Sequence, residues 1–193
     1  KEKILATLKP KINYKSILKS FRGSILSSKR ILTRMRPSRR YDFLYMGYKN
    51  EFITKLLFAV DVSGSISSYD LKNAFSIINN FFKYGIKEIF VISFDTEIKG
   101  EKLTLKKAIK EVNILGKGGT SFEPVIEYIN KDTSYDGLII FTDGYSNIPN
   151  FHQNRKTKIL WLFNNQINYE RNKDGLKKMG MLTFLRENWY ITN

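Results

Sequence analysis

Cysteine is absent from this sequence of 193 residues, and histidine occurs once, as His152. Without cysteine the chain forms neither disulfides nor thiolate metal sites, a composition that fits a reducing cytoplasm. A single histidine also excludes the His-Glu-x-x-His zinc motif. The chain has no uncharged apolar run near the roughly 18 residues of a membrane-spanning helix, and its lysine-rich start has no apolar signal-peptide segment. We therefore expect a cytoplasmic protein without a membrane anchor, and a segment of a longer chain because it lacks an initiator methionine.

The composition predicts one packed domain with a strongly basic end. Apolar residues make up 42% of the sequence and aromatic residues 14%, enough for a substantial core. The net charge is +15, and residues 1–50 hold 14 Lys and Arg against two acidic residues, whereas residues 51–193 hold 19 against 16. We divide the chain into a basic extension (1–50) and a globular domain (51–193). Such a basic extension suits an acidic partner, although solvated lysines explain much of it equally well.

The extension is predicted to be largely helical. Residues 11–35 place Ile17, Leu18, Phe21 and Ile25 on one helical face, which we expect to pack on the main domain. An arginine-rich connector with Pro37 follows.

From residue 55 onward, apolar runs alternate with amphipathic segments. This pattern predicts a doubly wound α/β fold with a mostly parallel six-stranded sheet and helices on both faces. A turn at Asp95-Thr96 leaves no room for a helical crossover, so the strand that follows it should pair antiparallel. Strands are expected at 56–60, 89–92, 98–105, 138–141, 159–163 and 181–185, and helices at 71–82, 105–112 and 124–129.

Polar residues stand where ligands bind in such folds, beyond the carboxyl ends of neighbouring strands. Asp61, Ser63 and Ser65 follow the first strand of the domain, Thr120 precedes a helix, and Asp143 follows the strand at 138–141. Carboxylates and hydroxyls without His or Cys suit Mg²⁺, Mn²⁺ or Ca²⁺ rather than zinc. The sequence therefore predicts a metal site made by these five residues.

Structural roles explain some of the same residues. Ser63-Gly64-Ser65 reads as a turn, Ser67 or Ser68 as a helix N-cap, and Thr120–Glu123 as a capping box. These roles are compatible with metal binding, because caps and ligands share loops.

The order Asp-x-Ser-x-Ser, Thr, Asp resembles the metal-ion-dependent adhesion site (MIDAS) of von Willebrand factor A-type (VWA) domains. The resemblance implies that the hydroxyls of Ser63, Ser65 and Thr120 bind the ion directly, and that Asp61 and Asp143 act largely through water. Neutral hydroxyl ligands leave a dication under-neutralised, so a partner's Asp or Glu is a favourable further ligand. The expected function is metal-dependent protein binding rather than catalysis.

Longer segments resemble bacterial VWA-like proteins whose N-terminal half is a metallopeptidase-like domain and whose relatives occur beside MoxR-type AAA+ ATPases. The similarity extends over about residues 17–187, and it implies such an ATPase as partner. Ser121 departs from the expected Asp, which removes a further carboxylate, and no metallopeptidase half is present in this sequence. The segments that carry the resemblance are Arg36–Tyr41, Asp61–Ser67, Gly118–Val125 and Phe141–Tyr145.

Two other functions remain open at this point. The segment Arg30–Arg40 could bind nucleic acid, although no aromatic residue is interleaved with its arginines. A hydrolase, or the non-catalytic half of one, would need a nucleophile beside a base, and no Gly-x-Ser-x-Gly or Walker A motif occurs. We interpret Asp95 as a turn residue, His152 as a surface residue, Trp161 and Trp189 as core, and Tyr145 as a candidate contact for a partner.

Overall fold

A computed structural model of the chain describes residues 2–5, 20–21, 30–37, 39, 44–50, 55–82, 86, 88–108, 111–114, 118–149 and 157–185. Ten strands and three helices are bounded within these residues. They are β1 (Glu2–Leu5), β2 (Arg30–Pro37), β3 (Met46–Asn50), β4 (Leu56–Asp61), α1 (Ser68–Phe82), β5 (Ile89–Phe94), β6 (Ile98–Leu105), β7 (Glu111–Ile114), α2 (Glu123–Lys131), β8 (Gly137–Thr142), β9 (Lys158–Phe163), α3 (Gln166–Leu176) and β10 (Met181–Phe184).

Six of the strands form the main sheet, in the order β10-β9-β8-β4-β5-β6. All neighbouring pairs are parallel except β5 and β6, which pair antiparallel across the turn at Asp95. The prediction of a mostly parallel six-stranded α/β sheet is thereby confirmed. From β4 the chain builds the sheet outward through β5 and β6, and then returns to add β8, β9 and β10 on the other side. This reversal between β4 and β8 is where ligands bind in doubly wound sheets.

Both faces of the sheet are covered, because its central strands carry mainly apolar side chains on both sides. Every residue of β4 is buried, and alternate side chains point to opposite faces. Phe58 packs with α1, its ring centroid 6.3 Å from that of Phe81. Leu57 and Ala59 belong to the core cluster on the other face, with Val125 of α2 and Leu176 of α3.

The starts of α1 and α2 test the helix-capping roles that the sequence offered for the loop residues. Ser67 caps α1: its hydroxyl accepts from the Asp70 amide at 3.1 Å, and the Ser67 amide donates to the Asp70 carboxylate at 3.3 Å. The predicted capping box at Thr120–Glu123 is wrong. Helix α2 begins later, with Phe122 at its N-cap and no side-chain cap. Pro124 in its first turn helps to start the helix, since proline has no amide hydrogen to satisfy there.

The end of the helix predicted at 11–35 is wrong, because the described residues from 30 to 35 are extended. Residues 30–37 form β2, which pairs antiparallel with β3 in a separate two-stranded sheet. Cross-strand backbone hydrogen bonds thus replace the helical ones expected up to residue 35. The helix expected at 105–112 is also wrong, because β7 begins at Glu111 and pairs with β1; Val112 and Ile114 alternate with polar residues as strands require.

One part of the predicted apolar stripe lies within the described residues. Ser20 and Phe21 are helical, and Phe21 is 1% exposed in the core cluster of α1. Ile17, Leu18 and Ile25 lie outside the described residues. Within the part of the chain that the structure describes, no helix is long and apolar enough to cross a membrane.

Candidate metal site

The site is built where β4 and β8 end side by side. Val60 pairs with Phe141 in the parallel register, so the residues that follow, Asp61 and Thr142, emerge together at one edge of the sheet. Asp61 is fully buried and Asp143 is 2% exposed. Two carboxylates are therefore held away from water at the predicted switch point.

Hydrogen bonds fix both oxygens of the Asp61 carboxylate. The Thr142 hydroxyl donates to Oδ2 at 2.6 Å, and the Ser63 amide donates to Oδ1 at 2.9 Å. Burial raises the pKa of Asp61 above its usual range, and the nearby Asp143 carboxylate adds to this rise, although the bonds from Thr142 and Ser63 oppose it. The ionised form of Asp61 is thus costly here without a cation.

The two predicted serine ligands lie together in the loop after β4. Their hydroxyl oxygens are 3.2 Å apart, with Ser63 buried and Ser65 exposed. The loop turns sharply, because the Ile66 amide donates to the Ser63 carbonyl at 3.1 Å. The two hydroxyls are therefore adjacent, with that of Ser63 in the interior and that of Ser65 toward solvent.

Backbone hydrogen bonds of its neighbours hold Thr120 close to this loop. The Gly64 amide donates to the Gly118 carbonyl at 3.0 Å, and the Ser121 amide donates to the Asp95 carbonyl at 2.8 Å. A Cβ at Gly118 would lie only 2.9 Å from Asp95 Oδ2, so a larger residue there would require the Asp95 side chain to shift. Half-buried Thr120 then lines a pocket that it shares with Gly144.

The Asp143 loop turns away from the sheet through a residue with unusual backbone geometry. Gly144 has a φ of 76°, in the left-handed region that favours glycine. The Asp143 carboxylate accepts from the Tyr145 amide at 3.1 Å, and the Thr142 hydroxyl accepts from the Gly144 amide at 3.0 Å. Thr142 therefore connects Asp61 to this loop.

These donors fit a hard divalent cation. None of the ion pairs among the described residues involves Asp61 or Asp143, so two buried carboxylates have no cationic partner there. Buried like charges are unfavourable unless a cation compensates them. The described residues contain no cluster of three or more His, Cys, Asp or Glu side chains able to hold a metal. The hydroxyls of Ser63, Ser65 and Thr120 would supply neutral oxygen donors beside the two carboxylates, and hard oxygen ligands suit Mg²⁺.

The other singled-out residues have mainly structural roles. Asp95 is 2% exposed and stabilises the turn between β5 and β6. Its carboxylate accepts a hydrogen bond from the Glu97 amide at 3.1 Å and forms an ion pair with the Lys99 ammonium at 3.7 Å. Trp161 is fully buried and its ring centroid lies 5.0 Å from that of Phe122, which confirms it as core. Tyr145 is 56% exposed at the rim of the pocket. His152 and Trp189 lie outside the described residues.

Sequence reasoning missed two contributors to this edge. Thr142 stood next to Asp143, and its hydroxyl at the end of a buried strand was a usable signal. Arg171 gave no such signal, because helix α3, on which it lies, was not predicted. The only buried residues of α3 are Asn168 and Leu176, so this helix has no apolar stripe.

Comparison with known proteins places the domain in a family. The sequence model for the VWA-like domain (DUF2201) matches residues 56–172, which is more than half of the chain and includes all five candidate ligands. An uncharacterized protein of Thermotoga maritima is 28% identical over 180 residues, which cover 93% of this chain and 44% of the relative. The chain thus spans less than half the length of that relative.

Proposed function

Because this chain belongs to the family of VWA-like domains, we propose that it binds a protein partner through a divalent cation. The ion is Mg²⁺, with Mn²⁺ or Ca²⁺ as alternatives, and the partner supplies an Asp or Glu carboxylate. The proposed metal-binding residues are Asp61, Ser63, Ser65, Thr120 and Asp143.

One observation carries the proposal. The carboxylates of Asp61 and Asp143 are buried at the switch point of the sheet, near the adjacent serine hydroxyls. Neither carboxylate forms an ion pair with a described residue. A dication would offset the cost of burying Asp61 beside Asp143. Ser63, Ser65 and Thr120 would supply neutral oxygens, and the aspartates would act largely through water. The ion would then keep positive charge toward solvent, where it attracts a carboxylate.

The same contacts favour binding over catalysis. The Ser63 hydroxyl contacts the Ser65 hydroxyl and the Asp61 carboxylate, but both oxygens of that carboxylate already accept hydrogen bonds from Thr142 and from the Ser63 amide, so Asp61 is poorly placed to act as a base. A serine nucleophile needs an adjacent base within hydrogen-bonding distance. We therefore propose that this domain is not an enzyme; any catalytic activity would belong to other parts of a longer protein.

The proposed partner is a MoxR-type AAA+ ATPase in the cytoplasm, on the strength of the sequence resemblance. A pull-down with the purified ATPase tests this in Mg²⁺ and in EDTA. We expect retention in Mg²⁺, release by EDTA, and no retention by Thr120→Ala. Thr133→Ala, which removes an exposed threonine hydroxyl in the turn after α2, is the matched control and should bind like the wild type. Binding that persists in EDTA would refute the adhesion mechanism.

A second candidate function comes from the β2–β3 hairpin. Its register places Tyr48 opposite Leu32, and both are more than half exposed. Arg34 follows on the same strand, just after the point where the β2–β3 register shifts. The hairpin thus supplies an aromatic residue beside the basic segment, as single-stranded nucleic acid binding requires. Binding of a labelled oligonucleotide that weakens steeply with salt and with Tyr48→Ala would support it; salt-independent binding would exclude it.

A further inference from the structure

A pocket of about 660 Å³ opens beside the candidate metal site. It shares Thr120 with that site and extends past Gly144 and Tyr145 to Arg171 and Asn172 on α3. Its volume is within the range of about 300–1,000 Å³ of ordinary ligand pockets. A partner chain that reaches the ion therefore has room to place neighbouring groups here.

The described lining of the pocket is polar. It consists of hydroxyls, amides and a glycine with one cation and one anion, Arg171 and Glu123, and it contains no aliphatic hydrocarbon side chain such as Leu, Ile or Val. A pocket of this composition does not select an apolar anchor. It selects hydrogen-bonding and charged groups.

Arg171 is oriented toward this space by a ring contact. Its guanidinium carbon lies 4.5 Å from the centroid of the Tyr145 ring, and it forms no ion pair with any acidic residue that the structure describes. Stacking holds the planar guanidinium by its face, while its edge N–H groups remain suited to a carboxylate.

The stack is joined to the metal site through the backbone. The amide of Tyr145 donates to the carboxylate of Asp143, so the ring that holds Arg171 begins two residues from a proposed ligand. Gly144 keeps this loop close against α3, because a Cβ there would collide with the side chain of Asn172. The distance from the ion to the arginine is therefore set by packed elements.

We propose that Arg171 binds a second carboxylate of the same partner segment, so that the domain recognises a pair of acidic groups rather than one. The first carboxylate lies at the ion and the second lies in the pocket. The second group is either the side chain of another Asp or Glu or a C-terminal carboxylate. This inference rests on the proposed function, since it needs the first carboxylate to be held at the ion.

Fluorescence polarisation with labelled Gly/Ser hexapeptides in Mg²⁺ tests the proposal. The reference peptide has one Asp and an amidated C-terminus; the second has another Asp one to three positions away; the third has its single Asp near a free C-terminus. We expect the second or the third to bind roughly fivefold to twentyfold more tightly than the reference, as a partly exposed charge-assisted contact allows. Whichever gains identifies the source of the carboxylate.

Variants of the pocket assign the gain to Arg171. Arg171→Gln should abolish it, Arg171→Lys should keep part of it because the charge remains without the planar fork, and Glu123→Gln should increase it by removing the like charge. Lys177→Gln removes a charge from the end of the same helix, outside the pocket lining, and should change nothing.

The outcomes separate this inference from the proposed function. If the reference peptide binds in Mg²⁺ and not in EDTA, but a second carboxylate adds nothing or Arg171→Gln keeps the gain, the pocket proposal is overturned alone. If the reference peptide binds equally in Mg²⁺ and EDTA, and the protein binds no Mn²⁺, the metal-dependent function fails and the pocket proposal fails with it.

Discussion

Replacing Thr142 by valine tests how the site is held together. The two side chains have nearly the same shape, but valine neither donates to Asp61 Oδ2 at 2.6 Å nor accepts from the Gly144 amide at 3.0 Å. Losing a hydrogen bond to a buried charged group and leaving an amide without an acceptor should cost about 2–4 kcal/mol of unfolding free energy. Urea denaturation in EDTA measures this loss.

The same substitution should weaken metal binding, since Thr142 orients the Asp61 carboxylate. Removing a residue that orients a ligand typically lowers metal affinity by about 10–100-fold. At a fixed Mg²⁺ concentration well above the dissociation constant, a tenfold loss reduces the metal-dependent stabilisation by about 1.4 kcal/mol.

Thr157→Val is the matched control. Thr157 is buried and donates to the Tyr135 carbonyl at 2.9 Å, away from the site. We expect it to lose stability as well, but to keep the metal-dependent increment of the wild type. If Thr142→Val loses less than about 0.5 kcal/mol, which is typical of neutral surface changes, and its Mg²⁺ increment is unchanged, then Thr142 does not hold the Asp61 carboxylate for metal binding.

Three further substitutions test the fold around the site. Gly144→Ala should destabilise the protein by about 2–4 kcal/mol in urea, because its φ of 76° strains a Cβ that would also lie 2.8 Å from Phe163 Cε1; wild-type stability would contradict the loop geometry. Phe21→Ala should cost about 3–5 kcal/mol, as for a buried core phenylalanine, whereas a loss under 1 kcal/mol would remove residue 21 from the core. Asp95→Asn should be less stable by about 1 kcal/mol near pH 7. Burial alone would raise the pKa of Asp95, but the Glu97 amide and Lys99 outweigh it and the net pKa is lowered. This stabilisation is present above the unfolded pKa of about 4 and is lost as pH falls through the folded value, so a difference that persists at pH 2 would contradict it.

The central sheet could be predicted because most of its strands contain a continuous apolar run. The runs at β4, β8 and β9 are too short and too continuous for surface helices, and the segment 98–105 could only pair antiparallel. Helix α3 escaped prediction because Leu176 is its only fully buried apolar residue, and one such residue gives no periodic stripe. The N-terminal prediction failed for a different reason: β2 depends on pairing with β3, which local periodicity does not reveal.

The candidate ligands could be predicted because each follows a buried strand or precedes a helix in chain order. Asp61 and Asp143 were expected to meet at one edge of the sheet provided that their two strands are neighbours, and β4 and β8 are indeed paired. The contacts of Thr142 with Asp61 and of Arg171 with Tyr145 arise between distant segments, so no local pattern indicated them. Metal binding by the five residues stays a prediction.

Equilibrium dialysis with Mn²⁺ measures whether the five candidate residues bind a cation. We expect one Mn²⁺ per wild-type chain, displaced by excess Mg²⁺, and no bound Mn²⁺ in Asp61→Ala or Ser65→Ala, with circular dichroism showing that both variants stay folded. Ser134→Ala, at an exposed serine in the turn after α2, should bind like the wild type. If the wild-type chain binds no Mn²⁺, or if folded Asp61→Ala and Ser65→Ala variants bind it as well as the wild type, these residues do not form a metal site.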